Sequence, residues 1–313
     1  MLKPNLTRVF AFAFLFLLAA VAVQAQAVRT FVSSTGADAN DCSRPSPCRN
    51  FQRGHDAVAS GGEVVALDSA GYGALNITKS VTITGEGVHA AVTGPSGGGN
   101  IVTVNGGGIN VTLRHLQVQG HPASPSGLGI NAQNFSVLHI ESCTVRAPST
   151  GLFFLPNSAD GTPNRKLFVK DSIFRNNGGG GIFLANAADT GTLIATIERT
   201  RMENNSSGGG GSFRFAKVTL RECLVSGNAF TGILAQEGSE VNVESCVSTY
   251  NGNHGMAAFD GGIMRVSNST ASNNTQFGFN SDPSSTFESR GNSTVRGNTL
   301  GNTSGTITPI IGT

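Results

Sequence analysis

Ile197, Leu220, Val243 and Val266 recur at intervals of 23 residues, each inside a short stretch where apolar and polar residues alternate: Val218 and Leu220, Val241 and Val243, Met264 and Val266. Period-two alternation in short pieces predicts strands and excludes helical repeats, whose apolar period is 3.6. A second apolar stretch follows a glycine in each repeat, as in Ile233–Leu234 after Gly232 and Met256–Ala257 after Gly255, and Asn/Gly and Gly/Ser/Asp corners separate the stretches. Asn205, Asn228, Asn251 and Asn274 keep the same interval, and the column extends to Asn176 or Asn177 before them and to Asn298 after. A fixed period of this length means that one unit buries its apolar face only against its neighbours. A coil of 23 residues is long for a left-handed hexapeptide helix, and the leucine-rich signature is missing. The pattern therefore predicts an all-β fold, a single-stranded right-handed parallel β-helix with coils about 4.8 Å apart.

The pattern also divides the chain. Lys3 and Arg8, the apolar run Val9–Val23 and the small-x-small sequence Ala25-Gln26-Ala27 read as a signal peptide over 1–27, cleaved near Ala27 and leaving a secreted chain, periplasmic or extracellular. The run of 15 apolar residues is shorter than the roughly 20 needed to span hydrocarbon, and nothing later is apolar enough, so no membrane span is expected in the mature chain. Residues 28–62 form an expected N-terminal cap: a strand at Arg29–Ser33, a loop holding Cys42 and Cys48, and a capping helix from Phe51 to Ser60 with Phe51, His55 and Val58 at helical spacing. Residues 63–300 carry the coils. Those from Leu113 to Ile197 run at 27 to 29 residues because the corners His121–Ser126 and Ser158–Arg165 are longer. Residues 301–313 are expected to cover the far end with Ile307, Ile310 and Ile311.

Composition fits a rigid β-solenoid. Glycine is 42 of 313 residues, proline 11, tyrosine two and tryptophan absent. Removing the signal leaves 19 basic against 19 acidic residues, since it takes two of the 21 Lys+Arg and none of the 19 Asp+Glu. A net charge near zero carries no footprint for nucleic acid or an anionic membrane, although it says nothing of local distribution. Cys42 and Cys48 share a Pro-stiffened polar loop, where an oxidising compartment favours a disulfide. Cys143, Cys223 and Cys246 each follow the apolar anchor by three residues, at a position held elsewhere by Ser172, Thr200 and Ser269, so small size is the expected requirement. They read as a buried ladder of free thiols, with a Cys223–Cys246 bridge as the alternative.

The opening Arg29-Thr-Phe-Val-Ser-Ser-Thr-Gly-Ala-Asp-Ala-Asn-Asp-Cys, the following Pro-Cys-Arg-Asn-Phe, and the segments Gly-Gly-Glu-Val-Val-Ala-Leu-Asp and Gly-Tyr-Gly-Ala-Leu-Asn-Ile-Thr-Lys-Ser-Val-Thr-Ile resemble bacterial right-handed parallel β-helix repeat proteins of the pectin-lyase-like superfamily. The resemblance implies the fold over essentially the whole mature chain. It leaves activity open, because the superfamily holds polysaccharide lyases, hydrolases, epimerases, tailspikes and adhesins.

Two polar columns bear on function. Arg114, Glu141, Lys170, Glu198, Arg221 and Glu244 each follow an anchor by one residue and alternate in sign. Opposite charges across paired strands attract, so this column reads as a stabilising exposed ladder and argues against catalysis on that face. Glu237 and Asp260 lie five residues after their glycines, and Asp282 four after Gly278. Stacked carboxylates suit calcium or general acid/base work, and they are equally common corner formers. His254, in Asn-His-Gly, is similar to part of the polygalacturonase motif set, but the paired aspartates and Arg-x-Lys of that set are missing. The expected function is an elongated face that binds extracellular polysaccharide or a surface component. The alternatives are a lyase or epimerase on uronate glycan, with Glu237, Asp260 and Asp282 binding cation or uronate and Arg265 as base, or a purely structural surface module.

Overall fold

The computed structural model describes residues 26–121, 126–147, 149–156, 164–186 and 191–310. The expected signal run, most of the two long corners and Ile311 lie outside the described residues. Within them the chain winds through three parallel sheets of twelve, ten and ten strands. One coil shows the order: Glu240–Glu244 in the first sheet, Val247–Thr249 in the second, Met256–Ala258 in the third, then Ile263–Ser267 back in the first.

The anchors stack as the 23-residue interval requires. Ile197 pairs in register with Leu220, Leu220 with Val243 and Val243 with Val266. Ile83, Leu113, Ile140 and Val169 continue the same column upstream, and all eight side chains are buried. Each contact removes apolar surface from water that a lone coil leaves exposed, stabilising at roughly 25 cal/mol per Å².

Single residues in the left-handed region make the corners. Between the first and second sheets these are His115, Ser142, Asp171, Arg199, Glu222, Ser245 and Asn268, with φ between 43° and 53°. The next residue in five of those corners is Cys143, Ser172, Thr200, Cys246 or Ser269, whose hydroxyl or thiol donates to the carbonyl two residues back, at 3.3, 2.8, 2.9, 3.2 and 2.7 Å. Cys223 does the same to Arg221 at 3.2 Å. The side chain also accepts from the backbone of the preceding coil: Cys223 N–H donates to Cys246 Sγ at 3.4 Å and Cys246 N–H to Ser269 Oγ at 3.1 Å. Six of the seven corners therefore use a small donor, not small size alone, and Leu116 after His115 is the exception. Cys143, Cys223 and Cys246 are free and buried. Burial pushes the Cys143 thiol up to about 12, and the bond to Cys223, together with burial, holds Cys246 above the ordinary thiol range.

Asparagines line the corner between the second and third sheets. Asn177 Nδ2 donates to Asn205 Oδ1 at 2.7 Å, and Asn205, Asn228, Asn251 and Asn274 each donate to the next at 2.8, 2.9, 3.0 and 2.9 Å, ending on Asn298. Asn177, and not its exposed neighbour Asn176, enters the ladder.

At the N-terminal end, Ala27–Val32 pairs with Val58–Ala66, and helix α1, Phe51–Ala57, lies against them with Phe51, Gly54 and His55 buried. The helix is shorter than expected. Val58 is extended, φ −75° and ψ 149°, because it is buried in the core and pairs with Ala27 as a strand. Cys42 and Cys48 form a disulfide, and their loop covers part of the outer edge of the first strand: Phe31 N–H donates to the Cys42 carbonyl at 2.8 Å and Cys48 N–H to the Phe31 carbonyl at 2.9 Å. Covering that edge satisfies groups that would otherwise invite pairing with another chain. Asp68 ties the cap to the first coil, accepting from Ser33 Oγ, the Ser34 N–H and the Tyr72 hydroxyl. Burial raises its pKa, and these bonds outweigh burial and hold it at about 2. At the other end the coils pass residue 300. Gly301–Ser304 pairs with Phe277–Ser281 and Ile307–Pro309 with Thr286–Ser289, so the expected tail over 301–313 is in its described part a further winding of the solenoid.

Candidate functional site

The alternation that sends Leu152, Phe154, Ile182 and Leu184 into the core turns the residues between them outward on the third sheet. Register places Phe153, Phe183, Ser212, Leu234, Ala257 and Asn280 in one outer column. Phe153 and Phe183 are half-buried and stacked, with ring centroids 5.2 Å apart and planes within 10°. Arg214, on the next coil, lays its guanidinium 5.4 Å from the Phe183 centroid and pairs with Glu237 at 3.2 Å. Arg214 Nε is buried without a hydrogen-bond partner. Ser212 Oγ donates to Gln236 Oε1 at 3.4 Å beside this pair. The result is a stacked aromatic pair bordered by a cation, a carboxylate and an amide.

The carboxylates of the expected acidic column lie at the corner that leaves this sheet. Glu237 and Asp260 occupy left-handed positions, φ 49° and 52°. Glu237 is engaged by Arg214. Asp282 accepts from the Asp260 N–H at 2.8 Å and from the Ser284 N–H and Oγ at 3.0 and 2.8 Å; burial raises its pKa, and hydrogen bonds outweigh burial and hold it below the usual range. Among the described residues no group of three or more His, Cys, Asp or Glu is arranged to hold a metal ion. Arg265 belongs to the first sheet, its Nε 2.8 Å from Glu288 and its Nη1 3.5 Å from Glu240. A guanidinium stays protonated in proteins and has no acceptor.

His254 is buried between Phe277, stacked at 5.8 Å, and Phe259, edge-on at 5.7 Å, with Nε2 2.9 Å from Asn280 Nδ2. Burial lowers its pKa to about 4. It packs on the same outer face, farther along the axis, and is neutral at pH 7. Of the two tyrosines, Tyr72 is buried against Asp68 and Tyr250 is exposed at a corner of the second sheet.

The phenylalanine pair and Arg214 escape a reading of the sequence. Their signal is the recurring Gly-aliphatic-Phe of Gly151-Leu152-Phe153 and Gly181-Ile182-Phe183, which falls in the coils whose length departs from 23.

Residues 158–309 match the family model described as right handed beta helix region. Among solved structures, pectate lyase Pel9A aligns at 14% identity with a TM-score of 0.51, covering 83% of this chain and 68% of that one. Alginate lyase from Paenibacillus sp. str. FPU-7 aligns at 14% identity and 0.48, covering 90% and 100%. A comparison with curated protein sequences finds no match. The protein is thus a right-handed parallel β-helix with the pectin-lyase-like fold.

Proposed function

We propose that the protein binds polysaccharide along the outer face of its third sheet, after export. The observation that carries this reading is the parallel Phe153–Phe183 stack. Two parallel rings stacked one coil apart offer apolar area to the C–H groups of a sugar chain at low conformational cost, and aromatic anchors contribute strongly to binding energies. Arg214, Glu237, Ser212 and Gln236 border the platform with groups suited to hydroxyls. The Cys42–Cys48 disulfide supports an oxidising compartment.

Affinity electrophoresis against a panel of neutral and uronate-containing polysaccharides tests this. Phe183→Ala should weaken binding of the retained polysaccharide at least about tenfold, a loss of roughly 1.4 kcal/mol. Unchanged retardation in a variant that melts like wild type refutes the platform.

The lyase or epimerase reading draws on the pectate lyase whose fold this chain shares. In it Asp260 and Glu237 would handle cation or uronate, with calcium as the ion. Unsaturated-product absorbance with Ca²⁺ present, abolished by Asp260→Ala, would favour that reading over binding alone.

A further inference from the structure

The second sheet carries a juxtaposition that the described strands of the first sheet avoid. Where charged residues face each other across the first sheet, their signs are opposite: Arg114 meets Glu141 at 2.9 Å, Lys217 meets Glu240 at 3.3 Å, Arg221 meets Glu244 at 3.6 Å and Arg265 meets Glu288 at 2.8 Å. On the second sheet, the register pairs Thr144 with Ile173 and Val145 with Phe174, and the next residue of each strand, its last, is an arginine: Arg146 and Arg175. Both are exposed. Arg146 donates to the neutral Gln119 Oε1 at 3.3 Å. The next residue of the column, Glu203, faces Arg175 in register, yet its carboxylate turns to Arg201 of its own strand at 2.7 Å. Like charges directly opposite on paired strands repel, so this pair lacks the compensation that the first sheet supplies.

The surroundings suit an anion on a polymer. Three residues beyond each arginine the chain enters an open trough of about 470 Å³ lined by small uncharged residues, among them Ser149, Gly178, Gly179 and Ser207. Among the described residues no carboxylate lines it. A chain lying there meets hydroxyls and backbone.

We infer that Arg146 and Arg175 form a binding site for the sulfate ester groups of a sulfated polysaccharide. Side chains leaving adjacent strands are about 4.8 Å apart, so an anion held between them needs acceptor oxygens directed both up and down the solenoid axis. A carboxylate presents two oxygens in one plane, both engaged by bidentate pairing with one arginine fork, so a second fork reaches it only end-on. A sulfate ester has three terminal oxygens in tetrahedral array and serves two forks at once. The site lies on a different sheet from the phenylalanine platform, so each reading can fail without the other.

Titration calorimetry with dextran sulfate, unsulfated dextran, polygalacturonate, sodium sulfate and duplex DNA tests the assignment. Dextran sulfate should bind, and more weakly as NaCl is raised. Arg146→Glu should weaken it at least about tenfold, as should Arg175→Gln. Arg146→Glu creates an opposite-charge pair with Arg175, so its melting temperature should equal or exceed that of wild type, and its affinity for unsulfated polysaccharide should not change. The inference is overturned if both variants hold dextran sulfate within twofold of wild type. Equal losses for polygalacturonate or DNA, or sodium sulfate binding as tightly per sulfate as the polymer, overturn the choice of a sulfated glycan.

Discussion

Tyr250 occupies a left-handed corner, φ 55°, that Asn176, Asn204, Gly227, Asn273 and Gly297 fill on other coils. A bulky side chain strains there, where Asn tolerates the conformation and Gly adopts it freely. Tyr250→Asn should therefore stabilise the protein by about 0.5–1 kcal/mol, read as a higher denaturant midpoint; a lower midpoint would show that the ring makes contacts worth more than the strain. Asn228→Ala removes the acceptor of the Asn205 Nδ2 and N–H groups and strands the Met202 carbonyl. Chemical denaturation should show a loss of about 1–3 kcal/mol. His254 adds a pH dependence. Its folded pKa of about 4 lies below the ordinary 6.5, so the unfolded chain takes up the proton first and stability falls as pH drops from 6.5 towards 4. His254→Phe should flatten the melting temperature across that window, leaving the smaller slope due to His55, which burial also lowers. At this scale the asparagine column was legible because its interval is constant. The Cys/Ser/Thr column was legible only as small side chains, since three chemistries hide the shared donor that the corner carbonyl selects.

Strands follow from sequence wherever alternation is long enough to show. The first-sheet anchors are the clearest case, with one buried face that a one-residue slip would expose. The end of α1 was harder to place: Phe51, His55 and Val58 fit a helical face, and only pairing with Ala27 decides that Val58 is a strand residue. Gly301–Ser304 and Ile307–Pro309 are short and rich in Gly, Ser and Thr, so their pairing with the previous coil was invisible without coordinates. The glycine that opens each third-sheet strand was visible, and its reason is close approach. A Cβ on Gly255 would sit 2.7 Å from Asn274 Nδ2 and 2.8 Å from the Gly278 carbonyl. Gly255→Ala should cost about 1–3 kcal/mol; a melting temperature equal to wild type would mean that the ladder yields without penalty.

Across the whole molecule the solenoid turns sequence intervals into surfaces, and a surface has properties that a total does not. The near balance of acidic and basic residues conceals a first sheet of alternating signs and a second sheet where two adjacent strands end in Arg146 and Arg175. One member of the acidic column, Glu237, borders an aromatic stack that reads in sequence as ordinary apolar spacing. The platform exists because coils of unequal length still stack Phe153 on Phe183, a consequence of register and not of period. Its role is tested most directly by nuclear Overhauser contacts between bound polysaccharide and isotope-labelled phenylalanine rings, assigned with Phe153→Leu and Phe183→Leu. Contacts from the sugar C–H protons to these two rings are the expected result. A bound polysaccharide whose contacts fall on other rings, or on none, would contradict the account.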